Sequence, residues 1–117
     1  MSDEKIPTLE EMRDRYLVLR DANDSRIGRL VADVAAEWIA AAERKLLAVY
    51  GGTDPYSNIT AYARNLQHRN LGFDEGDIIN RAALAVSSEF CCRGFQARVI
   101  HLTSDVGVRV SWDPNGD

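Results

Sequence analysis

The clearest pattern in the chain runs from Phe73 to Trp112. Ile78, Ile79, Ala82, Ala83, Val86 and Phe90 recur at helical spacing, with Asn80, Arg81, Ser87 and Ser88 between them. Asp74 stands where an N-cap is needed, and Glu75 and Asp77 place negative charge at the positive end of the helix dipole. Phe73 and Ile78 have the spacing of a hydrophobic staple. Gly94 is the expected stop. In the left-handed conformation it makes Phe90 and Phe95 the pair that touch across a Schellman motif.

Period-two alternation follows the stop. Phe95, Ala97, Val99, His101 and Thr103 share one face of a first strand; Val106, Val108, Val110 and Trp112 share one face of a second. A two-residue loop at Ser104-Asp105 and a four-residue loop through Gly107 both put these sets on the same side. Ser-Asp is a poor two-residue turn, which favours the longer loop. The other face carries Arg98, Ile100, Leu102, Arg109 and Ser111, with more aliphatic surface than a solvated face needs.

Before Phe73 the pattern predicts helices only. Thr8 and Glu11 form a capping box ahead of a stripe of Leu9, Met12, Tyr16 and Leu19, widened by Leu17 and Val18. Asp21 to Ser25 then supply four poor helix formers, which predicts a break with Asp24 or Ser25 capping the next helix. One uninterrupted helix is the alternative, because propensity decides weakly. From Arg26 to Tyr50 the core face is Ile27, Val31, Val34, Trp38, Ala42, Leu46 and Val49, and a run of alanines keeps the middle thin. Gly51-Gly52 ends this helix. Asp54 and Pro55 then read as N-cap and first residue of a third, with Tyr56, Ile59, Ala63 and Leu66 as its buried side. The expectation is therefore an α+β single domain over residues 1–117. It has about four α-helices followed by a C-terminal two-stranded antiparallel hairpin, a polar segment at 1–7 and a polar tail at 113–117.

Composition narrows the function. Hydrophobic residues make up 45% and charged residues 27%, which describes a globular chain. The net charge of −4 argues against phosphate-driven nucleic-acid binding. The longest run without charge, Pro55 to Ala63, is too short to span a bilayer, so no membrane partner is expected. MSDEKIP carries no apolar signal region, which predicts a cytoplasmic product. Without such a signal, the Asn58-Ile59-Thr60 sequon reads as chance. Adjacent Cys91 and Cys92 point in different directions on a helix, so two reduced, mostly buried thiols are expected.

Candidate chemistry is sparse. The soft or imidazole ligands are Cys91, Cys92, His68 and His101, and a CC pair lacks the spacing of a zinc site. A Cys92–His101–Glu89 arrangement can be written down but has no supporting spacing. There is no GxxxxGK and no GxGxxG, and Gly51-Gly52-Thr53 reads as a helix connection. Arg93, Arg98 and Arg109 beside Trp112 offer a basic ribbon on an otherwise acidic chain. The sequence therefore predicts no catalytic residue, no cofactor and no metal.

What remains is association. A two-stranded ribbon is marginal alone and leaves open edges. Edge pairing between two copies makes a four-stranded sheet, with Arg98, Ile100, Leu102 and Arg109 at the interface. The helix ending in Arg93-Gly94-Phe95, followed by a hairpin closing on Val110-Ser111-Trp112, resembles small phage-encoded structural or accessory proteins over the last third of the chain. That resemblance implies a virion component or a host-directed inhibitor, in the host cytoplasm or the virion, and carries over no site residue. The expected function is a non-enzymatic protein that binds itself or another protein. A nucleic-acid-binding or host-directed regulator and a small enzyme without a recognisable motif are the alternatives.

Overall fold

The structure is a computed structural model that describes residues 6–67 and 71–114, the side chain of Phe73 excepted. Two α-helices and a three-stranded antiparallel sheet replace the expected four helices and lone hairpin. In chain order these are α1 (Leu9–Tyr50), β1 (Asn58–Tyr62), α2 (Glu75–Cys92), β2 (Gln96–His101) and β3 (Val106–Ser111), with short 3-10 turns at Ala63–Asn65 and Gly72–Asp74. The sheet order is β1-β3-β2, so the last strand is central. Both helices pack on one face of the sheet.

Two corrections account for the difference. The first is the missing break. α1 runs for 42 residues straight through Asp21–Ser25. Residues Asp21–Ser25 include no glycine or proline, so nothing there offers a left-handed exit or removes a backbone donor. Its polar side chains find partners that helical geometry provides: Arg26 donates to Asn23 Oδ1 at 3.1 Å and to Asp74 Oδ2 at 3.1 Å. The Thr8 cap is as expected, accepting the Glu11 N–H at 3.1 Å.

The second correction is β1. The segment after Pro55 is a strand, where a third helix is expected. Asn58, Thr60 and Tyr62 alternate with buried Ile59 and Ala61. That period of two, with β-branched and aromatic residues, suits a half-buried strand. The strand exists because β3 pairs with it: Ile59 stands opposite Val110 and Ala61 opposite Val108. Trp38 of α1 anchors it from the core side, donating from Nε1 to Ala61 O at 2.9 Å.

The C-terminal half follows the pattern closely. Gly94 has φ +96°, its N–H donates to Cys91 O, and the Phe95 N–H donates to Phe90 O. The Phe90 and Phe95 rings meet edge to face with centroids 6.0 Å apart. At the other end Asp74 precedes α2, but its side chain makes no capping bond and takes Arg26 instead. The expected staple partner of Ile78, the Phe73 side chain, lies outside the described residues, as do His68, residues 1–5 and residues 115–117.

The hairpin register differs from both loops considered. His101 pairs with Val106, and the Leu102 N–H donates to Asp105 O at 2.8 Å across the loop. The shift is an even number of residues, so Ala97, Val99, Val108 and Val110 still face the helices. His101 is exposed rather than covered by the helices, and both cysteines are free and exposed rather than buried.

The core lies at one end of a molecule 77 × 24 × 23 Å. Ile27, Val34, Trp38 and Ala42 of α1 meet Ile78, Ala82, Val86 and Phe90 of α2 over the sheet. Arg93 ties the helices together outside, with 3.0 Å bonds to Glu43 and Glu89. Those carboxylates, Glu43 first, hold the Arg93 pKa above its ordinary value.

Candidate interaction surfaces

The fold leaves the first part of α1 without tertiary cover. Every residue from Leu9 to Arg26 is exposed, and the first buried side chain on the helix is Ile27. At ~1.5 Å per residue this is a helical arm roughly 27 Å long. Its stripe of Leu9, Met12, Tyr16 and Leu19 keeps the 3-4-3 spacing of a helix that packs on something, yet these side chains are 66%, 56%, 62% and 52% exposed.

Charge is sorted around that stripe. With about 3.6 residues per turn, Arg13 and Arg20 fall on one flank and Arg15 and Arg26 on the other. Glu10, Glu11, Asp14 and Asp21 fall on the back. Arg20 lies over the Tyr16 ring at 5.8 Å, so it extends the stripe as much as it borders it. In heptad terms Leu9 and Tyr16 are a, Met12 and Leu19 are d, Arg13 and Arg20 are e, and Arg15 is g; no carboxylate occupies an e or g position between Leu9 and Leu19.

A second apolar surface lies at the far end of α1. Leu46, Leu47, Val49 and Tyr50 of the last helical turns, with Tyr56, Phe95 and Trp112, line a groove of about 430 Å³. Asp54 is the one charged residue among its described lining. Trp112 is fixed there by its indole N–H, which donates to Tyr56 O at 3.1 Å. Tyr50 is 90% exposed and Leu47 69%. Nearly all the exposed large apolar side chains of the described residues therefore sit on the arm or around this groove, apart from Leu84 and Leu102.

The residues expected at an interface lie elsewhere. Arg98 and Ile100 of β2 and Arg109 of β3 share the sheet face turned away from the helices, with Arg98 directly opposite Arg109. Leu102 is in the hairpin loop, half exposed. Of the two hairpin edges, that of β3 is closed by β1, which leaves β2 and β1 as the edge strands of the described sheet. On the same outer face Tyr62 covers Gly107 and receives two cations, Arg64 at 5.0 Å and Lys45 at 5.8 Å from the ring centroid.

An open cleft of about 700 Å³ lies between the start of α2, the Ala63–Asn65 turn and the hairpin loop. Its buried acid, Asp105, is a turn residue. Oδ1 accepts the N–H groups of Arg64 and Val106, and Oδ2 has the Arg64 guanidinium at 3.5 Å, a counter-charge without a hydrogen bond. The Cys91 thiol donates to Ala97 O at 3.6 Å. Among the described residues no group of three or more His, Cys, Asp or Glu is placed to hold a metal ion. None of their helices is long and apolar enough to cross a membrane.

The arm's stripe was visible in the sequence; its lack of cover was not. The groove has no local signal, since it joins the end of α1 to Phe95 and Trp112, roughly 45 to 66 positions later. No protein-family model, curated protein or solved structure matches this chain.

Proposed function

We propose that this chain is a non-enzymatic interaction protein that self-associates, with the N-terminal arm of α1 as its docking element. The observation that carries the reading is the stripe of Leu9, Met12, Tyr16 and Leu19 held beyond the core on a continuous helix. An amphipathic helix whose apolar side meets water is an element waiting for a surface. Fully burying a large apolar side chain is worth about 1.5–3 kcal/mol, so covering these four, each a little over half exposed, contributes about 4–7 kcal/mol. Association costs about 4–15 kcal/mol. The arm alone therefore falls near the low end of what is needed, and a stable contact requires an apolar surface opposite it. The resemblance of the last third to small phage-encoded structural and accessory proteins suits a self-associating component.

Sedimentation velocity tests the reading. The wild type is expected to form larger species as concentration rises, and Leu9→Lys with Tyr16→Lys to remain a folded monomer. A wild type that stays monomeric at millimolar concentration rules self-association out. A second reading rests on the outer sheet face, where Lys45 and Arg64 flank Tyr62 near Arg98 and Arg109. Such a face suits a single-stranded nucleic acid. Retention on single-stranded DNA that falls steeply with salt and disappears in Tyr62→Ala supports that reading; salt-independent or absent retention removes it.

A further inference from the structure

We infer that the arm of one copy docks in the groove of Leu46, Leu47, Tyr50, Tyr56, Phe95 and Trp112 on a second copy, giving a head-to-tail contact. This rests on the self-association proposed above and names the surface that receives the arm. Two observations favour this receptor over a second arm, and a third assigns the contact to another copy.

The first is charge. Two arms packed stripe to stripe bring their e and g positions together. In a parallel pair Arg15 of one arm meets Arg20 of the other. In an antiparallel pair Arg13 and Arg20 face each other, and Arg15 faces Arg15. Every arrangement sets guanidinium against guanidinium, because the acids lie on the back. The groove has the opposite character: apolar walls and one carboxylate, Asp54, able to meet an arginine flank.

The second is the apolar inventory. The exposed apolar side chains are concentrated at these two places, and a head-to-tail contact covers both at once. Pairing two arms leaves Leu47, Tyr50 and Tyr56 in water.

The third is reach. Arm and groove lie at opposite ends of one unbroken helix, with roughly 36 Å of α1 between Arg26 and Tyr50. An arm cannot bend back to its own groove, so the occupant comes from another copy. Such an interface is heterologous and closes into a ring or continues as a chain.

Two variants and their mixture test this. Leu9→Lys with Tyr16→Lys disables the arm and keeps the groove. Leu47→Lys with Tyr50→Lys disables the groove and keeps the arm. All four positions are exposed helix positions that lysine tolerates, and circular dichroism checks that both proteins are folded. Each variant alone is expected to sediment as a monomer. The equimolar mixture is expected to form a one-to-one heterodimer that grows no further, because it holds one intact arm and one intact groove. A wild type that associates while the mixture remains monomeric overturns the groove assignment, because an intact arm and an intact groove then fail to meet. So does a groove variant that still dimerises alone, which assigns arm-to-arm pairing. A wild type that never associates overturns both readings.

Discussion

A proline at the base of the arm is expected to cost the folded body almost nothing. Inside a helix, proline removes a backbone bond and collides with the carbonyl four residues back, at about 3 kcal/mol or more. Asn23 lies deep within α1, with helix on both sides, so the local penalty applies in full. From Leu9 to Arg26, however, α1 buries no side chain. A helix of that length without tertiary cover is marginal in water. Asn23→Pro can shed its strain by letting the arm unwind, and the global loss is then capped at the arm's own stability, about 1 kcal/mol at most. Ala36→Pro is the control. It is also exposed, but it is flanked by buried Val34, Ala35 and Trp38, so its strain cannot be released without opening the core. It is expected to lose about 3 kcal/mol or more. Urea unfolding followed by the fluorescence of Trp38 and Trp112, both in the body, measures the two losses separately from arm helicity. Circular dichroism should show the arm's helix missing in Asn23→Pro. Dilute protein is needed, since association stabilises the folded state by mass action. If Asn23→Pro destabilises the body as much as Ala36→Pro does, the arm is coupled to the core and is not a free docking element.

Two further outcomes follow from local geometry. Gly107→Ala places a Cβ 2.9 Å from Thr60 Cγ2 and 3.1 Å from the Tyr62 ring, so it is expected to destabilise by about 1–3 kcal/mol. Thermal melts should show most of that loss absent when Gly107→Ala is made in a Thr60→Ser, Tyr62→Ala background, which removes both obstacles, and a loss of the same size there means that neither side chain is the obstacle. Cys91 and Cys92 are both exposed, so a colorimetric thiol reagent should titrate two groups in the native protein without denaturant. Reaction only after unfolding contradicts the placement of α2's last turn.

What the sequence determined by itself is what neighbours along the chain settle between them. The Thr8 cap, the stop at Gly94 with its Phe90–Phe95 contact, and the alternation of β2 and β3 depend on residues a few positions apart. Side-chain parity was equally robust: the hairpin loop differs from both registers considered, yet an even shift keeps Val108 and Val110 in the core. The tertiary structure decided where local preferences are nearly balanced or where the partner is distant. Asp21 to Ser25 disfavour a helix by only tenths of a kcal/mol each, and with no glycine or proline among these five residues α1 continues through them. Asn58–Tyr62 is short enough to read either way, and it is a strand because β3, about fifty residues later, pairs with it. The same dependence on distance explains the exposed apolar surfaces. Leu9, Met12, Tyr16 and Leu19 form the same stripe whether buried or bare. Only the position of the core, beginning at Ile27, leaves them facing water, and only the return of Phe95 and Trp112 to the end of α1 forms a groove at its other end.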